Sequence, residues 1–200
     1  MNDTLETIAR RHSTRSFSST PISDDDLKTV LTAANQAPSA HNQQSWRFII
    51  LRGDKKKGLA TLITEHASRF PKASAVLLRM AARTISSAPA VIAIANTGEL
   101  IKHGEELFQV EQTLSHDFFR TMEIQSSSAA VQNLLLAATS LGLATVWLGI
   151  MYLIKKEILE YLGEPLGEFM AIIPIGYPEK KGQSPKKRPL DMLVRFDGAE

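Results

Sequence analysis

Cysteine is missing from all 200 residues, so the chain can hold no disulfide framework, thiolate nucleophile, Cys-ligated zinc or iron–sulfur cluster. That absence suits a reducing compartment, and the cytoplasm is the expected location. A surplus of one charge is missing too. The 23 Lys and Arg against 21 Asp and Glu leave a net charge of +2, far from the concentrated basic field of a nucleic-acid binder. No nucleic-acid partner is expected, and only the 180–188 segment is locally rich in lysine.

Several chemical signatures are absent as well. No two of the 11 glycines stand two residues apart, so there is no Gly-x-Gly-x-x-Gly and no support for a Rossmann dinucleotide site. No Gly-x-Ser-x-Gly nucleophile elbow occurs. Gly53 to Gly58 begins like a phosphate loop, but Leu59-Ala60 stands where Lys-Ser/Thr is required. The histidines at 12, 41, 66, 103 and 116 show no His-Glu-x-x-His spacing, so no metal site is expected. Glu105 and Glu106 are adjacent on a helix and point in different directions. With no side chain marked for a reaction of its own, an enzyme built on this sequence needs a cofactor to bring the chemistry.

The N-terminus carries Asp3 and Glu6 and lacks an apolar h-region, so it does not read as a signal peptide. One uncharged run, Leu134 to Ile154, has the length to cross a bilayer. Gly142 interrupts it, and Thr145-Val146-Trp147-Leu148 reads better as a buried strand. No membrane partner is expected.

What is present is a 44% hydrophobic chain, enough for one domain over 1–200 with a real core, or for a chain that completes its core by dimerising. Leu5, Ile8 and Ala9 share one face of a first helix. Ser23 with Asp24, Asp25 and Asp26 opens a second. Helices over about 56–67 and 73–86 precede a strand at Val91–Ala95. A long helix over Met122–Leu141 carries two apolar stripes, which predicts burial on two sides. Strands are predicted at 46–51, 144–150 and 169–176, a helix over 153–162, and a late strand at 192–196.

Two polar stretches stand out. If Arg11-His12-Ser13-Thr14-Arg15 runs extended, residues 11, 13 and 15 project to one side, and guanidinium forks with a hydroxyl suit a phosphate. The alternative is a solvated basic turn. Ser39 to Ser45 is rich in amides, which suits a heterocycle edge presenting donors and acceptors; a loop that closes on itself through Asx-type turns is the alternative.

Four stretches together resemble the nitroreductase family of FMN-dependent oxidoreductases. They are Arg10-Arg11-His12-Ser13-Thr14-Arg15-Ser16-Phe17; Ala37-Pro38-Ser39-Ala40-His41-Asn42-Gln43-Gln44-Ser45-Trp46; Gln132-Asn133 through Gly142-Leu143 to Trp147-Leu148-Gly149; and Ile175-Gly176-Tyr177-Pro178 followed by Lys186-Lys187-Arg188-Pro189. The resemblance implies an α+β fold with a mostly antiparallel four-stranded central sheet flanked by helices. It also implies a homodimer in which the C-terminal strand joins the partner's sheet.

By the same resemblance, Arg11, Ser13 and Arg15 hold the FMN phosphate and ribityl end with Lys186 and Arg188, and His12 is among the cofactor contacts. Pro38, Ser39, Asn42 and Gln44 reach the flavin from the other subunit. Leu148 and Gly149 run beside the ring near N5, where a main-chain N–H can donate. The implied reaction is ping-pong: NADH or NADPH reduces the flavin, which then reduces a nitroaromatic, quinone or similar electron-poor acceptor, with protons from water and no catalytic side chain. Another flavin reaction, such as dehydrogenation or dehalogenation of a small metabolite, and a non-catalytic flavin-binding module are the alternatives. Ser45 replaces the family's proline and is expected to loosen the loop. The 70–83 region yields no alignable ring contact, and 96–120 is the least matched segment.

Overall fold

The computed structural model describes residues 2–108 and 110–198. At its centre is a four-stranded sheet in the order β1-β2-β4-β3, with every neighbouring pair antiparallel. The strands are β1 (Trp46–Leu51), β2 (Ala90–Asn96), β3 (Ala144–Thr145) and β4 (Glu168–Gly176). β2 is buried at every position, as a near-continuous apolar run covered on both faces requires.

Each face has its own core. On one side Val91, Ala93 and Ala95 pack with Leu59, Ile63, Leu78, Ile85 and Ile158, from α3 (Gly53–Ala67), α4 (Lys72–Ser87) and α7 (Lys155–Leu162). On the other, Ile92 and Ile94 pack with Val30, Val131, Leu134 and Ala138, from α2 (Asp24–Asn35) and α6 (Gln112–Ser140). The Ser23 side chain caps α2 by accepting from the Asp26 N–H at 3.0 Å. Between β2 and α6 lies α5 (Glu99–Leu107), and α1 (Asp3–Arg10) begins the described chain.

The long helix starts ten residues earlier than its apolar stripes predict. Glu111 caps it by accepting from the Thr113 and Leu114 N–H groups, both at 3.0 Å, so a polar first turn extends α6 back to Gln112. The hydroxyls of Ser126, Ser127 and Ser128 donate to the carbonyls four residues earlier, which lets three serines sit in a packed helix without a polar cost.

Two predicted strands differ. The 144–150 strand is cut to Ala144–Thr145, with Leu148 rejoining β4 through one bridge to Ile172. Val146 N–H donates to Pro174 O at 3.4 Å, but Pro174 has no N–H to return, so the ladder lapses there. Ile150–Ile154 then form a 3-10 turn. At the C-terminus no strand forms over 192–196 within this chain. Met192 N–H donates to Pro189 O, and Leu193 and Val194 both donate to Leu190 O, which turns the donors of a ladder into a local 3-10 turn.

The first helix forms as expected, over Asp3–Arg10. Its apolar face is not covered by the chain itself: Leu5 is 51% and Ile8 48% exposed.

Candidate functional site

α1 stops at Arg11, whose N–H still donates to Thr7 O at 3.1 Å while its backbone leaves the helix with ψ 124°. From there the chain runs extended beside β3. Ser13 bridges Thr145, and Thr14 N–H donates to Thr145 O at 2.9 Å. Further on, Phe17 bridges Pro178 and is buried. Ser13 and Arg15 are exposed and Arg11, His12 and Thr14 are half-buried, with the Thr14 hydroxyl buried without a partner among the described residues; Arg11 shares its cavity with His12 and Thr14 rather than with Ser13 and Arg15.

The tail returns to the same place. Ser18 N–H donates to Tyr177 O at 2.9 Å, Glu179 N–H to Ser16 O at 3.2 Å, and the Ser16 hydroxyl to the Glu179 carboxylate. The Ser184 hydroxyl lies against Ala9 O at 2.7 Å and Arg11 O at 3.2 Å. Gly182 is seated on the His12 ring, where any Cβ would collide. Lys186 and Arg188 therefore leave a segment anchored on Arg11. Among the described residues none of Arg11, Arg15, Lys186 and Arg188 forms an ion pair. A cavity of about 550 Å³ opens between this stretch, the tail and β3, with Arg11, His12, Thr14, Ala144 and Ser184 in its wall.

Leu148 and Gly149 lie farther along the same edge. The Leu148 N–H is used by Ile172 O at 3.0 Å, so of the two main-chain donors only Gly149's has no acceptor among the described residues. A Cβ built on Gly149 meets nothing within 4 Å. A ligand can approach this amide directly.

The 38–44 loop is strained. His41, Asn42 and Gln44 take φ values of 53°, 51° and 51°, the left-handed region that costs a residue with a side chain about 1–3 kcal/mol. Its hydrogen bonds hold it there. Ser39 Oγ accepts from Gln44 N–H at 3.1 Å, and Gln44 Nε2 donates to Asn42 O and Oδ1 at 3.1 and 3.2 Å. Ala40 N–H donates to Ser126 Oγ at 3.1 Å, tying the loop to α6. Pro38, Asn42 and Gln44 remain exposed and Ser39 is half-buried.

Ser45 does not loosen this loop. It is 5% exposed, its carbonyl accepts from Thr97 N–H at 3.2 Å, and Trp46 behind it is buried and donates to Asn35 Oδ1 at 3.0 Å.

One chain does not bring the two polar stretches together. The loop leads into Trp46, in register with Asn96 and through it with Glu168, whereas Ser13 lies beside Thr145, opposite Ile175. They occupy diagonal corners of the sheet, roughly 25–30 Å apart by strand spacing and rise.

Two further features complete the picture. The first is an aromatic group beside the loop, whose Phe108, Phe118 and Phe119 the sequence already offers either as a pocket roof or as ordinary helix packing. Phe108 stacks on Phe118 with centroids 6.0 Å apart, Phe119 meets each of them edge-on at 5.0 Å, and the His41 ring lies 6.5 Å from both His103 and Phe119. Only the histidines went unread, because they join the phenylalanines from the loop and from α5.

The second is Glu123, 1% exposed on α6. Burial holds its carboxyl above the usual Glu range, opposed by the hydrogen bond from the Leu100 amide and by the nearby Ser45 hydroxyl and Gly98 and Ile101 amides. The folded state therefore keeps a proton that the unfolded chain releases, so this group's stabilisation is present at low pH and is lost as pH rises through its elevated value. Glu123→Gln does not titrate. Its melting temperature relative to wild type should climb as pH rises above the ordinary Glu value of about 4; a difference flat with pH would contradict the raised carboxyl.

Comparison with known proteins places these features in context. Residues 8–177 match the family described as the Nitroreductase family. A relative from Archaeoglobus fulgidus, provisionally named NADH dehydrogenase/NAD(P)H nitroreductase, is 30% identical over 184 residues, covering 90% of this chain and 87% of its own. Among solved structures, a provisionally assigned nitroreductase of Desulfovibrio desulfuricans in complex with FMN has a TM-score of 0.74 at 26% identity, covering 100% of this chain and 99% of its own. The NADPH:FMN oxidoreductase of Vibrio harveyi complexed with NAD+ has a TM-score of 0.77 at 21% identity, covering 100% and 79%; at that identity the likeness is one of fold. Among the described residues no helix is long and apolar enough to cross a membrane.

Proposed function

The chain belongs to the nitroreductase family, and on that premise we propose that it is an FMN-dependent oxidoreductase, one domain over 1–200, which oxidises NADH or NADPH and reduces nitroaromatics, quinones or similar electron-poor acceptors in the cytoplasm. The observation that supports this reading is the anchoring of Ser184 on Arg11 O, which brings the tail leading to Lys186 and Arg188 to the start of the 11–15 stretch, with none of Arg11, Arg15, Lys186 and Arg188 in an ion pair among the described residues. A dianionic phosphate needs several cationic donors to offset its desolvation.

The residues fit such a group. Arg11, Ser13, Arg15, Lys186 and Arg188 would hold the phosphate and ribityl end, with His12 beside them. The open Gly149 amide would donate to the ring; Leu148 would contribute packing rather than a donor. When bound, FMN supplies two-electron chemistry, taking hydride from NAD(P)H and passing it to the acceptor in a separate half-reaction. The chain's own part is to position, to exclude bulk water and to donate hydrogen bonds. Protons come from solvent.

The sheet geometry supports a homodimer. Pro38, Ser39, Asn42 and Gln44 lie too far from Ser13 in one chain to share a single flavin with it, so they would serve the partner's. The uncovered apolar face of α1 and the exposed Leu190, Met192 and Phe196 supply surface for that contact.

The test is anaerobic mixing of purified, FMN-loaded protein with NADH and with NADPH. Rapid bleaching of the flavin band, restored by a quinone, is expected. Retention of FMN with no bleaching by either nucleotide would overturn the reductase reading in favour of another flavin reaction or a binding module. A protein that cannot be reconstituted with FMN would overturn the cofactor itself.

A further inference from the structure

Beneath the 38–44 loop the chain buries more polar chemistry than it satisfies. Glu123 Oε1 accepts from Leu100 N–H at 2.9 Å, and the Gly98 and Ile101 amides also face the carboxyl, so the side chain caps α5 from a neighbouring helix. Its other oxygen, Oε2, has no aligned partner. The Ser45 hydroxyl, itself buried and unpartnered, is close enough to favour the ionised carboxyl. Asn96, the strand partner of Trp46, is 0% exposed with both Oδ1 and Nδ2 unpartnered, and the next amide, Thr97 N–H, donates to Ser45 O.

Unpaired buried polar atoms cost about 1–3 kcal/mol each, so a cluster of them points to something other than stability. Here they lie at the end of the 38–45 loop, the end of β2 and the middle of α6, and the Leu100 bond to Glu123 brings in the start of α5. An independent contact says the same, since the His41 ring of the loop lies against His103 of α5 and Phe119 of α6.

We propose that Glu123 is a positioning residue that, through Ser45 on one side and the α5 N-terminus on the other, locks the 38–44 loop and α5 into one unit forming the wall of the acceptor pocket. The assignment of that wall to the acceptor rests on the reductase reading above. Both parts belong to one chain and so approach the same flavin, and their relative placement sets the gap in which an acceptor lies. Gly104 helps keep the unit tight, because α5 passes so close to the Phe119 ring that a Cβ has no room.

Amide hydrogen exchange on the full chain, with and without FMN, tests the lock directly. Glu123→Ala should speed exchange at 98–101 and at 40–44 together, each by about tenfold, with 13–15 and 145–148 unchanged. Glu123→Gln, which can still accept from Leu100, should restore 98–101. Ser45→Ala, a small change expected to fold normally, should loosen both segments even where Glu123→Ala does not fold. In the loaded enzyme the same variants should raise acceptor KM about tenfold with kcat nearly kept, as loss of ground-state positioning predicts. Faster exchange at 98–101 alone, with 40–44 fully protected, would reduce Glu123 to a helix cap and overturn the proposal. So would coupled loosening with unchanged acceptor KM. Coupled exchange in a protein whose flavin NAD(P)H cannot bleach would uphold the lock while sinking the reductase reading.

Discussion

Arg11→Ala and Arg188→Ala should each weaken FMN binding by about 10- to 150-fold. A hydrogen bond to a charged group contributes about 1.5–3 kcal/mol, and each 1.4 kcal/mol is tenfold in affinity. Neither guanidinium has a carboxylate to compete for it among the described residues, so removing it subtracts from the ligand without freeing an acid elsewhere. The double variant should lose less than the product of the two, because groups sharing one phosphate are coupled. Titration of the flavin-free protein with FMN, read by flavin fluorescence, gives both numbers. Wild-type affinity in both single variants would place the anion site elsewhere.

Phe119→Ala should lower stability by about 3–5 kcal/mol, the usual cost of removing a buried phenyl ring. Phe119 is 1% exposed, lies under the α5 backbone at Gly104 and meets Phe108 and Phe118 edge-on. Without it α5 loses its floor, and the space left cannot be filled by the two outer rings, which are 43% and 46% exposed. Urea unfolding of the flavin-free protein measures the effect. A loss under about 1 kcal/mol, the level of an ordinary substitution, would mean that α5 is held by something other than this ring.

Much of the site could be read in advance, for reasons local to the chain. The extended course of 11–15 follows from a helix that runs out at Arg11, and within it Ser13 and Arg15 are both exposed, as alternation predicts. The amide-rich 39–45 loop announced itself by composition: it closes on its own backbone through Ser39 and Gln44, in a strained form that leaves Asn42 and Gln44 exposed. Ser45 was misread because its role depends on Thr97 and Glu123, which are distant in sequence. The 144–150 strand failed for a similar reason: the proline that ends it lies across the sheet at 174.

Periodicity, caps and residue types thus determined the helices, the buried character of β2 and β4, and the identity of the cationic groups, since these depend on neighbours within a few positions. The fold alone decided which of those groups meet. It brought the tail onto Arg11, sent the 38–44 loop to the opposite corner of the sheet, and closed Glu123 under α5. Strand order and helix packing are set by summed burial across the whole molecule, and no local spacing encodes that sum.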